Sequence, residues 1–112
     1  MDRIEFIHSI GYTEGTDTVN LLISFFDQYM LLFNLVEDIN SVSYEQSYMN
    51  NISFILEYIS EAAAQKNINT IIENRVVGLY GGLYVVNVEK VSATSIRIII
   101  SKEHEKKETR GS

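Results

Sequence analysis

Chemistry near neutral pH needs side chains that exchange a proton there, and this sequence has few of them. His8 and His104 are its two histidines, and cysteine is absent. Histidine is the side chain whose unperturbed pKa lies between pH 5 and 8. The local pattern places His8 in an apolar strand between Phe6 and Ile10, and His104 in a charged tail. Neither stands with a nucleophile and an orienting group, and no serine sits in a strand-to-helix elbow. The lack of cysteine removes disulfides, thiol catalysis and cysteine-ligated zinc together. Glu57 and Glu61 are spaced as one helical turn, but neither is followed three residues later by the histidine of a di-iron bundle. No alternation of Asp and Asn resembles a calcium loop. GLYGGLY at residues 78–84 has the glycine of a phosphate cradle. Such a cradle needs a helix start behind it to aim N–H groups at the anion, and here a strand pattern comes next. The expectation is no catalytic, metal-binding or cofactor-binding residue, and no enzyme.

What remains suits binding. If residues 44–65 form a helix, Phe54 and Tyr58 make an i, i+4 pair pointing away from its apolar stripe, amid Asn50, Asn51, Glu57, Glu61 and Gln65. Aromatic side chains ringed by polar groups are typical of interface centres. The alternative is that residues 66–74 or the C-terminal segment fold over this pair and bury it. Leu31 is the one apolar residue on the polar line of the preceding helix, and it extends this patch or forms another. Tyr80 and Tyr84 flank two glycines on opposite faces of a hairpin tip, so at least one of them is exposed. Phe54, Tyr58, Leu31, Tyr80 and Tyr84 are the expected partner-binding residues.

The elements that must carry these residues can be read from hydrophobic period and punctuation. Residues 3–10 alternate, with Ile4, Phe6, His8 and Ile10 on one side, which predicts a strand. Residues 11–17 (GYTEGTD) read as a connection, with Asp17 or Thr18 capping the next element. Residues 18–39 predict a helix whose polar line is Asn20, Ser24, Asp27, Asn34 and Asp38, with Gln28 beside it. So narrow a polar stripe calls for cover on two sides, from the sheet and from a second helix or another subunit. A membrane span is disfavoured, because Asp27 and Gln28 fall at its centre, where a charge costs about 2.5–3.5 kcal/mol.

Ser43 and Gln46 read as a capping box for a second amphipathic helix over residues 44–65. The short link between the two predicts an antiparallel helical hairpin. Residues 66–74 fit a short helix or an extended segment. RVVGLYGGLYVVNVEKV at residues 75–91 predicts a β-hairpin turning at Gly81-Gly82, with Tyr80 opposite Leu83 and Val77 opposite Val86. A turn at 92–95 leads into a last strand over 96–102. The expected fold is α+β in the order βααβββ. Its antiparallel sheet combines an N-terminal strand with a C-terminal three-strand meander, packed on one face by the helical hairpin.

With 112 residues, 46% hydrophobic and 21% charged, the chain predicts a single globular domain over 1–101. Residues 102–112 form a charged tail, and its Arg110-Gly111-Ser112 end has the composition of a cloning remnant. Residues 1–10 do not resemble a secretory signal, so the expected location is cytoplasmic. A net charge of −6 disfavours binding to phosphate backbones, and no nucleic acid or membrane partner is expected. Abundant Ile, Asn and Tyr fit an AT-rich source such as a phage or mobile element. The first functional expectation is a small acidic interaction module of the immunity, antitoxin or inhibitor kind. It would bind a basic protein, or copies of itself, through its aromatics. The alternatives are a homo-oligomeric structural subunit of a virion or larger assembly, and a small-ligand-binding domain.

Overall fold

Asp2 and Glu5 open the first element. The Glu5 amide donates to Asp2 Oδ1 at 2.9 Å and the Asp2 amide donates to Glu5 Oε1 at 3.1 Å, a reciprocal capping box. It starts helix α1, Arg3–Ile10, in the computed structural model, which describes residues 2–10, 16–45 and 51–103. The strand expected over residues 3–10 is therefore a helix. Alternation over eight residues is outweighed by a cap that satisfies two otherwise orphaned amides.

Helix α2 spans Thr16–Phe25 and passes into a π-helical turn at Phe26–Met30. The expected single helix over 18–39 ends earlier, and its stop is written in Asn34. Asn34 takes a left-handed conformation (φ 58°), which asparagine tolerates better than most residues. Its amide donates to the Leu31 carbonyl at 3.2 Å, and the Leu35 amide donates to the Met30 carbonyl at 2.8 Å. These two bonds form a Schellman-type end, with Leu35 and Met30 fully buried together.

Strand β1, Ile39–Tyr44, ends at the expected start of the second helix, and strand β2, Ile52–Tyr58, occupies the middle of that region. Residues 52–59 satisfy both periods, because Ile52, Ile55, Leu56 and Ile59 fit a helix while Ile52, Phe54, Leu56 and Tyr58 fit a strand. The strand pattern prevails because β2 pairs on both sides, with β1 and β5, and buries all four of its alternating side chains. Ser43 lies in β1 and caps no helix, and Gln46 and His104 lie outside the described residues. Helix α3, Glu61–Glu73, begins instead at Ser60, whose Oγ accepts from the Ala63 amide at 3.1 Å. It takes in nearly all of the segment 66–74, whose sequence fits either conformation.

The C-terminal meander forms as expected: β3 Val76–Leu79, β4 Gly82–Lys90 and β5 Ser95–Lys102. Its turn is displaced, however. Leu79 faces Gly82 and Val77 faces Tyr84, so the two loop residues are Tyr80 and Gly81. Only Gly81 (φ 96°) needs positive φ inside the loop, and Gly82 (φ 136°) begins the return strand.

The protein is thus α+β, with three helices and one five-stranded antiparallel sheet, in the order β1-β2-β5-β4-β3, among the described residues. The described elements run ααββαβββ along the chain, so the helical hairpin expected over residues 18–39 and 44–65 does not form. The core lies between the helices and one sheet face. Phe54 is its centre, with ring centroids 5.3 Å from Phe6 and 5.9 Å from Phe25. Tyr58 and Tyr29 are buried beside it, and each hydroxyl finds a carbonyl, of Leu35 at 2.8 Å and of Asn74 at 2.6 Å.

Candidate functional site

This layout removes two expected binding residues from the surface. Phe54 and Tyr58 are 0% and 1% exposed, on the inner face of β2. They point inward because they share the two-residue period with Ile52 and Leu56, not a helical outer face. Tyr84 is half-buried against the core on the inner face of β4, with Lys102 Nζ 5.7 Å from its ring. Leu31 and Tyr80 are each 47% exposed. Leu31 lies just past the π-helical turn, whereas Tyr80 forms part of a groove.

That groove runs between α2 and the end of β3, with a volume of about 540 Å³. Asn20, Ile23, Ser24, Asp27 and Gln28 line one wall, and Gly78, Leu79 and Tyr80 the other. Two ties hold the walls in place. The Tyr80 amide donates to Ser24 Oγ at 3.1 Å, and Tyr29 Oη donates to the Asn74 carbonyl just before β3. Ser24 Oγ in turn donates to the Leu21 carbonyl, which fixes its rotamer. Asp27 and Tyr80 each take part in a further interaction, so neither residue is without a partner. The polar line of α2, which in sequence reads as a solvent edge, is one wall of this groove. Gly78 is a groove residue that the sequence reading misses. Its signal is an isolated glycine inside a strand pattern, which marks a place where another backbone can come close.

Charge divides the molecule sharply. The segments carrying the helices, 1–38 and 59–74, hold nine acidic and two basic residues. The sheet segments, 39–58 and 75–103, hold four of each: Glu45, Glu57, Glu89 and Glu103 against Arg75, Lys90, Arg97 and Lys102. Asp27 therefore stands in an acidic half, across the groove from the exposed Tyr80.

The outer sheet face differs in kind. Cross-strand neighbours Glu89, Arg97, Ile55 and Ser43 form one row, and Asn87, Ile99 and Ser53 the next. Arg97 makes a two-point bond to Glu45, Nε to Oε1 at 2.7 Å and Nη2 to Oε2 at 2.8 Å, while its Nη1 donates to Glu89 at 2.9 Å. Ser53 Oγ adds a donor to Glu45 at 2.6 Å. The Arg97 guanidinium and this hydroxyl hold the Glu45 carboxyl below its ordinary pKa. Beside the network lie Val76, Leu83, Val85 and Ile99, partly or largely exposed.

Glu57 and Glu61 do not share a helix turn. Glu57, on β2, accepts from Thr94 Oγ1 at 2.6 Å, and Glu61 opens α3 with Lys90 at 3.6 Å. Among the described residues no three His, Cys, Asp or Glu side chains converge on a metal position, and no helix is long and apolar enough to cross a membrane. His8 lies on α1, and its side chain is outside the description. Comparison of the chain with protein-family models, curated proteins and solved structures gives no match.

Proposed function

We propose that this chain is a small, non-enzymatic interaction module, of the immunity, antitoxin or inhibitor kind, that receives a basic protein partner in the groove between α2 and β3. The observation that carries this reading is the coincidence of two features. The net negative charge falls on the helix-bearing segments, and the groove between α2 and β3 sets the half-exposed Tyr80 across from Asp27. A carboxylate next to an aromatic ring suits a lysine or arginine, which gains a charge-assisted bond and a cation–π contact together. The surrounding acidic field steers a cationic partner toward it and speeds association. A titration of isotope-labelled protein with hexalysine tests the reading. Amide shifts are expected to concentrate on residues 20–28 and 78–80, to fade at high salt, and to weaken about tenfold in an Asp27→Asn, Tyr80→Ala double variant. Shifts spread evenly over Glu37, Glu61 and Glu73 would instead mean diffuse charge attraction and overturn it.

The outer sheet face supports a second reading, self-assembly. Val76, Leu83, Val85 and Ile99 form an aliphatic strip on the outer sheet face, which another copy could cover. Light-scattering mass across a concentration series decides it, since a monomer at every concentration removes this reading.

A further inference from the structure

β3 is an edge strand, and the direction of its backbone groups can be deduced from one bond. The Arg75 carbonyl accepts from the Val86 amide at 2.7 Å. Opposed residues in an antiparallel pair alternate between bonded and non-bonded. Arg75, Val77 and Leu79 therefore turn their N–H and C=O groups toward β4, while Val76 and Gly78 turn theirs to the free edge. Among the described residues no strand pairs with that edge. The next residue in the outward row, Tyr80, already gives its amide to Ser24 on α2. The edge is thus capped at the turn and open behind it, along the groove. Gly78 lines this groove with backbone, because a Cβ there would face Leu83 Cδ2 at 3.9 Å on the outer sheet face.

We propose, building on the interaction-module reading, that the partner's contact segment is an extended basic peptide that adds to β3 as a sixth strand. Its main chain bonds to the outward groups of Val76 and Gly78, and one of its cationic side chains lies against Asp27. The wall of α2 keeps the incoming strand in line, and alternate side chains point toward that wall or continue the outer face beside Val76, which is 60% exposed. Charge complementarity selects the occupant: the helical half repels acidic and phosphorylated segments and favours a strand carrying lysine or arginine on its α2-facing side.

The test uses a fluorescein-labelled Lys-Val-Lys-Val-Lys-Val peptide and two versions N-methylated on either the lysines or the valines. In an added strand only alternate amides face β3, so one methylated version is expected to lose at least tenfold in affinity and the other to stay within twofold. On the protein, Gly78→Pro deletes one outward donor and spares the bonds that Val77 and Leu79 make to β4, so it is expected to lose tenfold. Gly78→Ala, with room for its methyl group, is expected to bind normally. The methylated pair needs only wild-type protein, so the test stands even where Gly78→Pro fails to fold. Binding in the groove that both methylated peptides retain equally would overturn strand addition and leave the interaction-module reading intact. No binding in the groove would overturn both. A concentration-dependent dimer broken by Gly78→Pro would show that a second copy, not a basic partner, occupies the edge.

Discussion

The two halves of this protein meet the solvent by opposite means. The helix-bearing segments carry a large excess of negative charge, and α2 forms one wall of the groove. The sheet segments balance four acidic residues against four basic ones, and on their outer face one arginine is tied between two carboxylates beside exposed aliphatic residues. An unbalanced field acts beyond contact distance, so it governs how fast and with what sign of partner an encounter occurs. A balanced aliphatic surface exerts little force until water is displaced, so it governs only what fits once in contact. Under the proposed reading, the helical half recognises a foreign, cationic chain through its acidic field, and the aliphatic strip of the sheet face is left to packing between like surfaces.

Both halves rest on one core, and the largest effect comes from removing what they share. Phe54 touches α1 through Phe6 and α2 through Phe25 while belonging to the central β2. Phe54→Ala is expected to cost about 3–5 kcal/mol, a large part of the roughly 5–15 kcal/mol that holds a small domain folded. Thermal unfolding tracked by circular dichroism should show a fall of more than 10 °C, with groove binding lost in proportion. A variant that melted within a few degrees of wild type would mean that the halves do not depend on this ring.

How much of this can be read from the chain depends on how local each signal is. The hairpin is legible because glycines and β-branched residues announce it within seventeen positions, though its exact turn is not, since Gly81 and Gly82 fit two registers. The caps at Asp2/Glu5 and Ser60 are present as plain motifs, but periodicity in the same segments points elsewhere. Residues 52–59 carry two periods at once, and only the presence of β1 and β5 on either side decides between them. The helical period places Phe54 and Tyr58 on a surface; the strand period puts them in the core. Tyr80 keeps its exposure because a turn residue is exposed in either register. The groove is out of reach of local pattern, because its walls are about 50 residues apart in sequence and are brought together by long-range ties such as Ser24–Tyr80.

A smaller effect separates the inside of the helical half from its surface, and it appears at high pH. Burial pushes the Tyr29 hydroxyl up to about 12 and moves Tyr58 in the same direction. A raised pKa of this kind contributes stability that is complete below the unfolded value near 10 and is lost as pH climbs through the folded value. For Tyr29 the shift corresponds to about 3 kcal/mol once fully expressed. Unfolding midpoints in urea should therefore decline from pH 10 to 12, and Tyr29→Phe should flatten that decline while lowering stability at pH 7. Absorbance titration should show these two tyrosines ionising only as the protein unfolds. Ionisation of both at ordinary values with the fold intact would mean that the helices do not seal this part of the core.

The smallest expected effect is at the other end of the pH scale and belongs to the sheet face. The Glu45 carboxyl is held below its ordinary value first by its bonds to Arg97 and then by Ser53. A depressed pKa contributes stability above the unfolded carboxylate value and loses it as pH falls through the folded one. Because the network is only partly screened from water, its effect is a few degrees of melting temperature rather than tens. Glu45→Gln should lower the melting temperature slightly at pH 7, and the difference should shrink as pH falls below the ordinary carboxylate range and the wild-type carboxyl protonates. Asp27→Asn serves as the control, since it changes one negative charge in the groove without touching Arg97. It should shift binding of a basic peptide at neutral pH, whereas Glu45→Gln should not. If Glu45→Gln weakened peptide binding as much as Asp27→Asn does, the two faces would be acting as one electrostatic surface, and the division of labour between them would be wrong.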